Sequence, residues 1–428
     1  MSKFALSLSI TDYIDERMNT RCLTFLIIIT ISACKKDEVL VLNDSGTLPV
    51  IKLTIDDEYL WSPDSGLYIY PNYIEKWEFP ANIEYLENDL TIFRENVGFR
   101  LKGNASRGNS MKSFGIYWRN EYGKKNLEYR MFNDISTSTF KRLFLRNSGN
   151  DFGKTHIKDA SISMIYKDYA NVEYQQYKPC VLYLNDVYWG IYNIREMITP
   201  HHFDYHFGVN SDEVDLLQGS ELNPQADDGS INDFLNDIIY FIKVNNLSNN
   251  DNYLYLCDLI DVDSYIDYII IQTYICNTDW PVGNVKWWRD RSSANYSKWR
   301  WIIYDTDWAL MSSTDKVWIG DLYGNYYEED KQGGFFIFNN LIDNISFKKR
   351  FLERYLFFIE TVFEKTRVKN IILSNKFRIE QEYTNHYLKW NTLNANQWSE
   401  SIDEMIQFNN LRNNKMKNII ISLQSENN

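Results

Sequence analysis

The sequence contains few cysteines, prolines and histidines: five, eight and five among 428 residues. No C-x-x-C pair occurs, and beyond residue 34 only Cys180, Cys257 and Cys276 remain, so at most one disulfide bridge could form. A disulfide scaffold and a cysteine-based zinc knuckle are therefore excluded, and we expect the three thiols to be buried.

Several motifs and one charge pattern are also missing. The chain has no G-x-S-x-G elbow, no P-loop and no H-E-x-x-H segment, which argues against an α/β-hydrolase, a P-loop NTPase and a zincin protease. Its formal net charge is −13 and it has no long run of lysine and arginine, so nucleic acid is not expected as a partner. The hydrophobic content of 44% is nevertheless enough for a large core.

An apolar stretch near the N-terminus indicates export. Residues 18–38 read MNTRCLTFLIIITISACKKDE, and the apolar run 22–31 is too short to span a membrane as a stable helix. The ISAC segment resembles a lipobox, in which cleavage before Cys34 frees a thiol for lipid attachment. An ordinary secretory leader or anchor helix with a chance cysteine is the alternative.

The lipobox divides the N-terminal region into two parts. Residues 1–33 are predicted to be a leader, for which Met18 is a better-proportioned start than Met1. Residues 34–47 are predicted to be a short polar tether between the lipid and the folded domain. The mature protein is accordingly expected in the cell envelope, as an outer-membrane or cell-surface lipoprotein and as a monomer.

The hydrophobic pattern predicts an α+β protein. Residues 48–199 mix β-branched and aromatic residues with turn residues, and LNDVYWGIY is typical of a hairpin. Residues 200–428 show apolar residues three and four apart, with helices expected at 347–365, 368–387 and 402–423. The first part would form a β-rich lobe and the second a mainly helical lobe, with a cleft between them.

Four oxygen-bearing side chains are expected to converge after the buried helical segment DSYIDYIIIQTYICN. The runs VKWW and KWRWIIY should form a hairpin, and a centre between residues 294 and 295 would place Asn284 opposite Asp305. Asp307 points to the same side as Asp305 on an extended chain, and Asp279 lies five residues before Asn284. Such oxygen ligands suit Mg²⁺ or Mn²⁺.

The order of these residues is that of protein kinases: D-x-x-x-x-N, a hairpin, and an Asp at the end of its second strand. There the first Asp accepts a hydroxyl proton, while the Asn and the last Asp hold the cation on the phosphates. A purely structural alternative stays open from the spacing alone. In it Asp279 caps a turn, Asn284 starts a strand, and Asp305 and Asp307 cap a loop.

Six blocks in order from Leu48 to Ile420 give the chain a family resemblance. It resembles the CotH family, the spore-coat protein H-like secreted kinases. The matching blocks are LPVIKLTIDDEYLWSPDSGLYI, VGFRLKGNASRGNSMKSFGIYW, FKRLFLRNSGNDFGKTHIKDA, CVLYLNDVYWGIYNIREMI, SYIDYIIIQTYICNTDWPVGNVKWWRD and KWRWIIYDTDWAL.

The resemblance implies an atypical protein-kinase fold that uses ATP and a divalent cation to phosphorylate hydroxyls of secreted or surface proteins. Residue by residue, it implies that Asp279 is the catalytic Asp and that Asn284 and Asp305 are metal ligands. Asp307 resembles a neighbouring acidic ligand or orienting residue. Arg146, in LRNSGND, matches a block that implies only a cleft lining or a buried ion pair.

The nucleotide side departs from the family pattern, because KGNASRGNSMKS keeps a single lysine of the usual pair and lacks the proline before it. Lys112 is the candidate that pairs with phosphate, and Arg107 is the alternative. Glu196, which ends YNIRE, is expected to orient the lysine or to contact the nucleotide. Its alternative is a surface acid at the end of a strand.

His202 and His206 lie four residues apart and could face one metal on a helix. No third ligand is evident nearby, so the pattern favours a solvated pair. Two further functions stay open beside the kinase hypothesis. One is a non-catalytic surface lipoprotein, such as a pseudokinase, a coat component or a glycan-binding module. The other is a glycosidase, which paired acids on one face of a hairpin fit poorly.

Overall fold

The structure is a computed structural model that describes residues 47–281, 283–292, 295–310 and 335–425. The predictions for the leader, for lipidation at Cys34 and for nearly all of the tether lie outside these residues. Within the described ranges, no helix combines the length and the apolar character needed to cross a membrane.

Most strands lie in the N-terminal part of the chain. In chain order the strands are β1 (Val50–Thr54), β2 (Phe79–Glu87), β3 (Leu90–Lys102), β4 (Ser113–Tyr117), β5 (Leu127–Glu128), β6 (Thr139–Phe140), β7 (Arg142–Arg146), β8 (Tyr177–Leu184), β9 (Val187–Arg195), β10 (Val214–Ser220), β11 (Asn223–Asp228), β12 (Lys286–Asp290) and β13 (Arg300–Ile302).

Seven of these strands close a barrel in the order β1-β2-β3-β4-β7-β9-β8, with β1 parallel to β8 and every other pair antiparallel. Alternation explains its core, because in β2 Ala81, Ile83 and Tyr85 are buried while the residues between them are half-buried. Asn185 and Asp186 join β8 to β9 with φ of 50° and 61°. A two-residue turn of this kind confirms the predicted hairpin.

A second, four-stranded sheet has the order β11-β10-β12-β13. It contains the β12–β13 hairpin, which lies in the chain between Asn284 and Asp305. Its strands pair Lys286 with Ile302 and Trp287 with Trp301. The predicted pairing of Asn284 with Asp305 is therefore wrong by one residue. Both residues lie beyond the paired strands and have positive φ, 57° and 54°, so the backbone leaves the extended conformation at both.

The C-terminal part is mainly helical, as predicted. The described helices are α1 (Asp57–Trp61), α2 (Lys158–Tyr166), α3 (Pro200–Phe207), α4 (Phe241–Val244, preceded by the π-helical Phe234–Tyr240), α5 (Asn250–Leu259), α6 (Val262–Tyr274), α7 (Phe336–Leu341), α8 (Ile345–Phe357, followed by the π-helical Phe358–Val362), α9 (Lys365–Trp390) and α10 (Ala395–Ser425).

The last three helices confirm the three predicted C-terminal segments with different bounds. Side-chain caps explain the starts of two of them. Asn344 accepts hydrogen bonds from the backbone N–H groups of Ser346 and Phe347, and Glu364 accepts them from Thr366 and Arg367. The helical part has its own apolar core, separate from the barrel core. The mixed α and β composition is thus confirmed.

Candidate active site

The loop after α6 brings Asp279 and Asn284 together. The backbone N–H of Gly283 donates to the carbonyl of Asp279 over 2.7 Å, which closes a tight turn. The Nδ2 of Asn284 donates to Asp279 Oδ2 over 3.3 Å and to the backbone carbonyl of Asp305 over 3.2 Å. Asp279, Asn284 and Asp305 therefore converge, although not through the strand pairing that the sequence predicted.

Arg146, the last residue of β7, joins Asp305 to Asp307. Its Nη2 donates to Asp305 Oδ1 and, over 2.9 Å, to Asp307 Oδ2. The Asp305 side chain is 33% exposed, whereas that of Asp307 is 1% exposed. Asp305 therefore faces the open side of the group and Asp307 its interior. We call Asp279, Asn284, Asp305 and Asp307 the acidic cluster.

The segment 149–150 fixes the buried carboxylate of Asp307. The backbone N–H of Asn150 donates to Asp307 Oδ2 over 2.9 Å, and its Nδ2 donates to Oδ1 over 3.3 Å. Gly149 has a φ of +61°, and a Cβ there would lie 1.9 Å from Asp307 Oδ2. Only glycine therefore allows the backbone to approach this carboxylate so closely.

Asp159 on α2 supports the acidic cluster from inside. Its Oδ1 accepts hydrogen bonds from the backbone N–H and the Oγ1 of Thr306, both over 2.9 Å. Its Oδ2 accepts one from Arg195 Nη1 over 2.6 Å and lies 4.0 Å from Arg146 Nε. Asp159 and Arg195 were not singled out from the sequence. Nothing in their local pattern shows that Asp159 bonds to Thr306 or that Arg195 bonds to Asp159.

The carboxylates of the cluster repel one another. Burial, and then the charge of Asp305, raises the pKa of Asp307 to about 7, although Arg146 acts in the opposite direction. Burial and Asp305 also raise the pKa of Asp279, while the hydrogen bond from Asn284 lowers it. Burial lowers the pKa of Arg146, but Asp305, Asp159 and Asp307 together raise it above its ordinary value.

The donor set of the acidic cluster fits a hard divalent cation. Both hydrogen bonds of Asn284 described above use Nδ2, so Oδ1 is the atom with which it would bind a cation. Carboxylate and amide oxygens are ligands of Mg²⁺ and Mn²⁺. Asp305 repels the negative charges of Asp279 and Asp307, and a cation bound between these carboxylates would relieve the repulsion.

Lys112 and Arg107 bind backbone carbonyls of their own region. The Nζ of Lys112 donates to the carbonyl of Arg107 and, over 3.2 Å, to that of Asn109. It also lies 4.6 Å from the ring centre of Tyr73, and burial lowers its pKa to about 8. Arg107 Nη1 donates to the carbonyl of Ile74 over 2.7 Å. Among the described contacts, none joins Lys112 or Arg107 to the acidic cluster.

Lys102, the last residue of β3, lies among other cations, of which only Arg107 was singled out from the sequence. Burial, and then the charges of Arg100, Lys286, Arg107 and Arg142, lowers the pKa of Lys102 to about 8. Lys286 lies only two residues after Asn284, so this member of the group adjoins the loop of the acidic cluster.

Lys102, Arg142 and Lys286 line a cavity of about 590 Å³. Its lining also contains Gln218 and three carboxylates, Asp212, Asp227 and Asp228, of which Asp227 forms an ion pair with Lys286. We call it the basic cavity. The volume is within the range of small-molecule sites. A polar cavity with converging cations is suited to bind phosphate.

Glu196 has different partners from those predicted. Its carboxylate accepts the backbone N–H of Gln176 over 3.0 Å and lies 2.9 Å from His206 Nε2 and 3.6 Å from His202 Nδ1. Glu196 does not pair with Lys112, and with 1% exposure it is not a surface acid. The prediction of a solvated histidine pair is also wrong, because the His202 side chain is fully buried and that of His206 is 10% exposed.

A comparison with protein-family models finds one match, to the family described as CotH kinase protein, over residues 99–416. The matched part begins in β3 and ends in the last helix. It includes Lys102, Lys112, Glu196 and all four residues of the acidic cluster. No curated protein matches the chain.

Proposed function

The chain belongs to the CotH kinase family, and from this premise we propose that it is an extracytoplasmic protein kinase. It transfers the γ-phosphate of ATP to Ser or Thr hydroxyls of secreted or cell-surface proteins. The observation that carries the proposal is the convergence of Asp279, Asn284 and Asp305 through the hydrogen bonds of one amide group.

Each residue of the acidic cluster has a role in this reaction. Asp279 accepts the proton of the substrate hydroxyl, and its raised pKa suits a base. Asn284 and Asp305 hold Mg²⁺ or Mn²⁺, which neutralises charge on the phosphate oxygens when it is bound. Asp307 keeps Arg146 in place beside Asp305 and is the neighbouring acidic ligand.

The phosphates of ATP are proposed to lie in the basic cavity, next to the loop that carries Asn284. Lys102 is the lysine best placed for them, because it is half-buried among like charges that an anion would compensate. Lys112, with Arg107 as the alternative, can contribute only if it gives up its bonds to backbone carbonyls. In the two-lobed, kinase-like arrangement that we propose, the barrel part supplies Lys102 and Lys112, and the helical part supplies the acidic cluster.

The proposed site of action is the cell envelope. Lipidation of Cys34 after removal of residues 1–33 would anchor the kinase as a monomer through the 34–47 tether. Mass spectrometry of the mature N-terminus tests this part separately. An unmodified peptide that spans residues 33 and 34 would rule out the lipid anchor without affecting the kinase assignment.

Phosphate transfer tests the kinase assignment directly. The purified full chain should transfer labelled γ-phosphate to itself or to a casein-like acceptor in the presence of Mg²⁺, and Asp305→Ala should abolish the transfer. The matched control is Asp258→Ala, because the Asp258 side chain is 84% exposed and lies outside the acidic cluster. Equal transfer by Asp305→Ala and the wild type would refute the assignment.

A non-catalytic surface lipoprotein, either a pseudokinase or a coat or glycan-binding component, is the second candidate function. One observation favours it: Arg146 donates a hydrogen bond to Asp305 Oδ1. This bond competes with a cation for the Asp305 carboxylate. A thermal-shift titration with Mg²⁺ and ATP separates the two candidates. A kinase should melt at a higher temperature with both ligands and Asn284→Ala should not, whereas the second candidate predicts no shift for either protein.

A further inference from the structure

Three side chains at the end of β9 and on α3 form a second group of possible metal ligands, separate from the acidic cluster. Glu196, His202 and His206 each offer one ligand atom, and the three atoms lie within 4.8 Å of one another. Glu196 directly follows β9, and the two histidines lie one turn apart on α3. We call them the histidine cluster.

The distances within the histidine cluster suit a tetrahedral metal. Glu196 lies 2.9 Å from His206 Nε2 and 3.6 Å from His202 Nδ1. With zinc–ligand bonds of about 2.0–2.1 Å, tetrahedral ligand atoms lie about 3.4 Å apart. The side chains need to shift only slightly to surround one ion.

His202 provides an independent reason to infer a ligand. Its side chain is fully buried, its Nε2 has no hydrogen-bond partner, and its Nδ1 meets only Glu196 Oε1, at 3.6 Å. Buried polar atoms are nearly always paired, because an unpaired one has lost its hydrogen bonds to water without replacement. An ion pair between Glu196 and His206 alone would leave His202 unsatisfied, whereas a metal ion would bind one of its nitrogens.

The surroundings of Glu196 resemble the outer contacts of a metal ligand. The backbone N–H of Gln176 donates to Glu196 Oε2 over 3.0 Å, and Gln175 Nε2 donates to the Glu196 carbonyl over 2.6 Å. Such hydrogen bonds fix the orientation of ligating side chains. On the other side, the ring of Phe203 stacks on Trp288 at 4.0 Å, which fixes α3 against the second sheet.

We propose that Glu196, His202 and His206 bind one Zn²⁺ ion that links the end of β9 to α3. Two imidazole nitrogens and one carboxylate oxygen are typical zinc ligands, whereas Mg²⁺ prefers oxygen ligands alone. A water molecule completes the four-coordinate site. Because Glu196 and His202 are buried and His206 is only 10% exposed, the ion serves to hold the fold together. It lies next to Arg195, which bonds to Asp159 behind the acidic cluster.

Zinc content and zinc titration test the proposal on the full chain. Protein purified without chelator should contain about one zinc per chain by elemental mass spectrometry. After treatment with a chelator, its melting temperature should fall, and calorimetric titration with Zn²⁺ should restore one site and the original melting temperature. None of these measurements requires ATP or phosphate transfer, so their failure would not affect the kinase assignment.

Variants of the histidine cluster need a matched control on the same helix. Glu196→Gln and His206→Gln should lose the bound zinc. His201→Gln should keep it, because His201 adjoins His202 but contacts Lys141 Nζ over 3.1 Å instead. His206 is the most exposed of the three ligands, so His206→Gln decides the test if Glu196→Gln fails to fold.

Two results would overturn the proposal. One is a chelator-treated wild type that takes up no Zn²⁺, which would make the cluster a histidine–glutamate ion pair. The other is zinc uptake by His206→Gln equal to that of His201→Gln. Asp305→Asn should retain the zinc of the wild type, and its loss in that variant would instead assign the ion to the acidic cluster.

Discussion

The acidic cluster and the histidine cluster differ in donors, exposure and charge balance, although both join distant elements of the same fold. The acidic cluster offers oxygen atoms, with Asp305 one-third exposed, and the charge of Asp305 raises the pKa values of Asp279 and Asp307. The histidine cluster adds nitrogen atoms and is closed to solvent. Although burial raises the pKa of Glu196, the two histidines lower it below its ordinary value.

The comparison shows that burial alone does not determine the use of a carboxylate. A partly open group with excess negative charge can exchange a cation that carries phosphates. A closed group that offers two imidazole nitrogens and one carboxylate oxygen is suited to an ion that stays in place. The following variants separate the two clusters, in order of decreasing expected effect.

The largest effect is expected for Asp279→Asn, which removes the base but keeps the size of the side chain. Phosphate transfer should fall by about 10²–10⁴-fold, the usual contribution of a general base. The thermal shift with Mg²⁺ and ATP and the zinc content should both be unchanged. Loss of zinc in this variant would show that the two clusters are not independent.

Lys102→Met should weaken ATP binding by about 10–150-fold, because hydrogen bonds to charged groups contribute about 1.5–3 kcal/mol. Lys112→Met is the matched comparison, since the Lys112 Nζ bonds to backbone carbonyls outside the basic cavity. The KM for ATP measures both effects. A larger increase for Lys112→Met would return the phosphate site to the position predicted from the sequence.

Gly149→Ala should lower the free energy of unfolding by about 1–3 kcal/mol, because its Cβ would overlap Asp307 Oδ2 and its φ is positive. Gly153→Ala is the control, since a Cβ there meets nothing within 4 Å. Chemical denaturation measures both variants. Phosphate transfer should fall only in Gly149→Ala, and equal stability of the two variants would contradict the close approach at Asp307.

Glu221 is a buried glutamate with neutral partners, and it contrasts with Glu196. It accepts hydrogen bonds from Tyr265 Oη over 3.1 Å and from the backbone N–H of Ile337 over 2.9 Å. Burial raises its pKa to about 7. Because the folded state holds the proton more tightly than the unfolded chain, Glu221 should lower stability progressively between about pH 4.5 and 7.

Glu221→Gln imitates the protonated acid and should remove this loss. The variant should be more stable than the wild type above pH 7 by at most about 3 kcal/mol, and equally stable near pH 4. Denaturant unfolding at several pH values measures the difference. Glu404→Gln, at an exposed helical position, is the control and should leave the pH profile unchanged.

The sequence predicted the α+β composition, the β8–β9 hairpin and the three C-terminal helices, because each depends on a local pattern. It also predicted the meeting of Asp279, Asn284 and Asp305, from the hairpin expected between Asn284 and Asp305. The strand pairing was wrong because the positive φ values of Asn284 and Asp305 cannot be read from alternation. The roles of Asp159 and Lys102 depend on contacts between elements far apart in the chain.

The histidine cluster was missed for a different reason. Its third member, Glu196, lies only six residues before His202, so the signal was present in the sequence. Glu196 had instead been interpreted, from the family resemblance, as a residue that orients Lys112 or contacts the nucleotide. A strand end followed by a short turn and a helix brings residues 196 and 202 together, and this local geometry could have identified the group.

The bridge from Arg146 to Asp307 spans 161 positions of the chain. A polypeptide truncated before residue 305 would retain a guanidinium in the interior with Asp159 as its remaining carboxylate partner. Neither half of the protein can therefore form the bridge between Arg146 and the acidic cluster by itself. The complete site can form only after the second half of the chain has been synthesised and has docked onto the first, so a chain that ends before residue 305 lacks it.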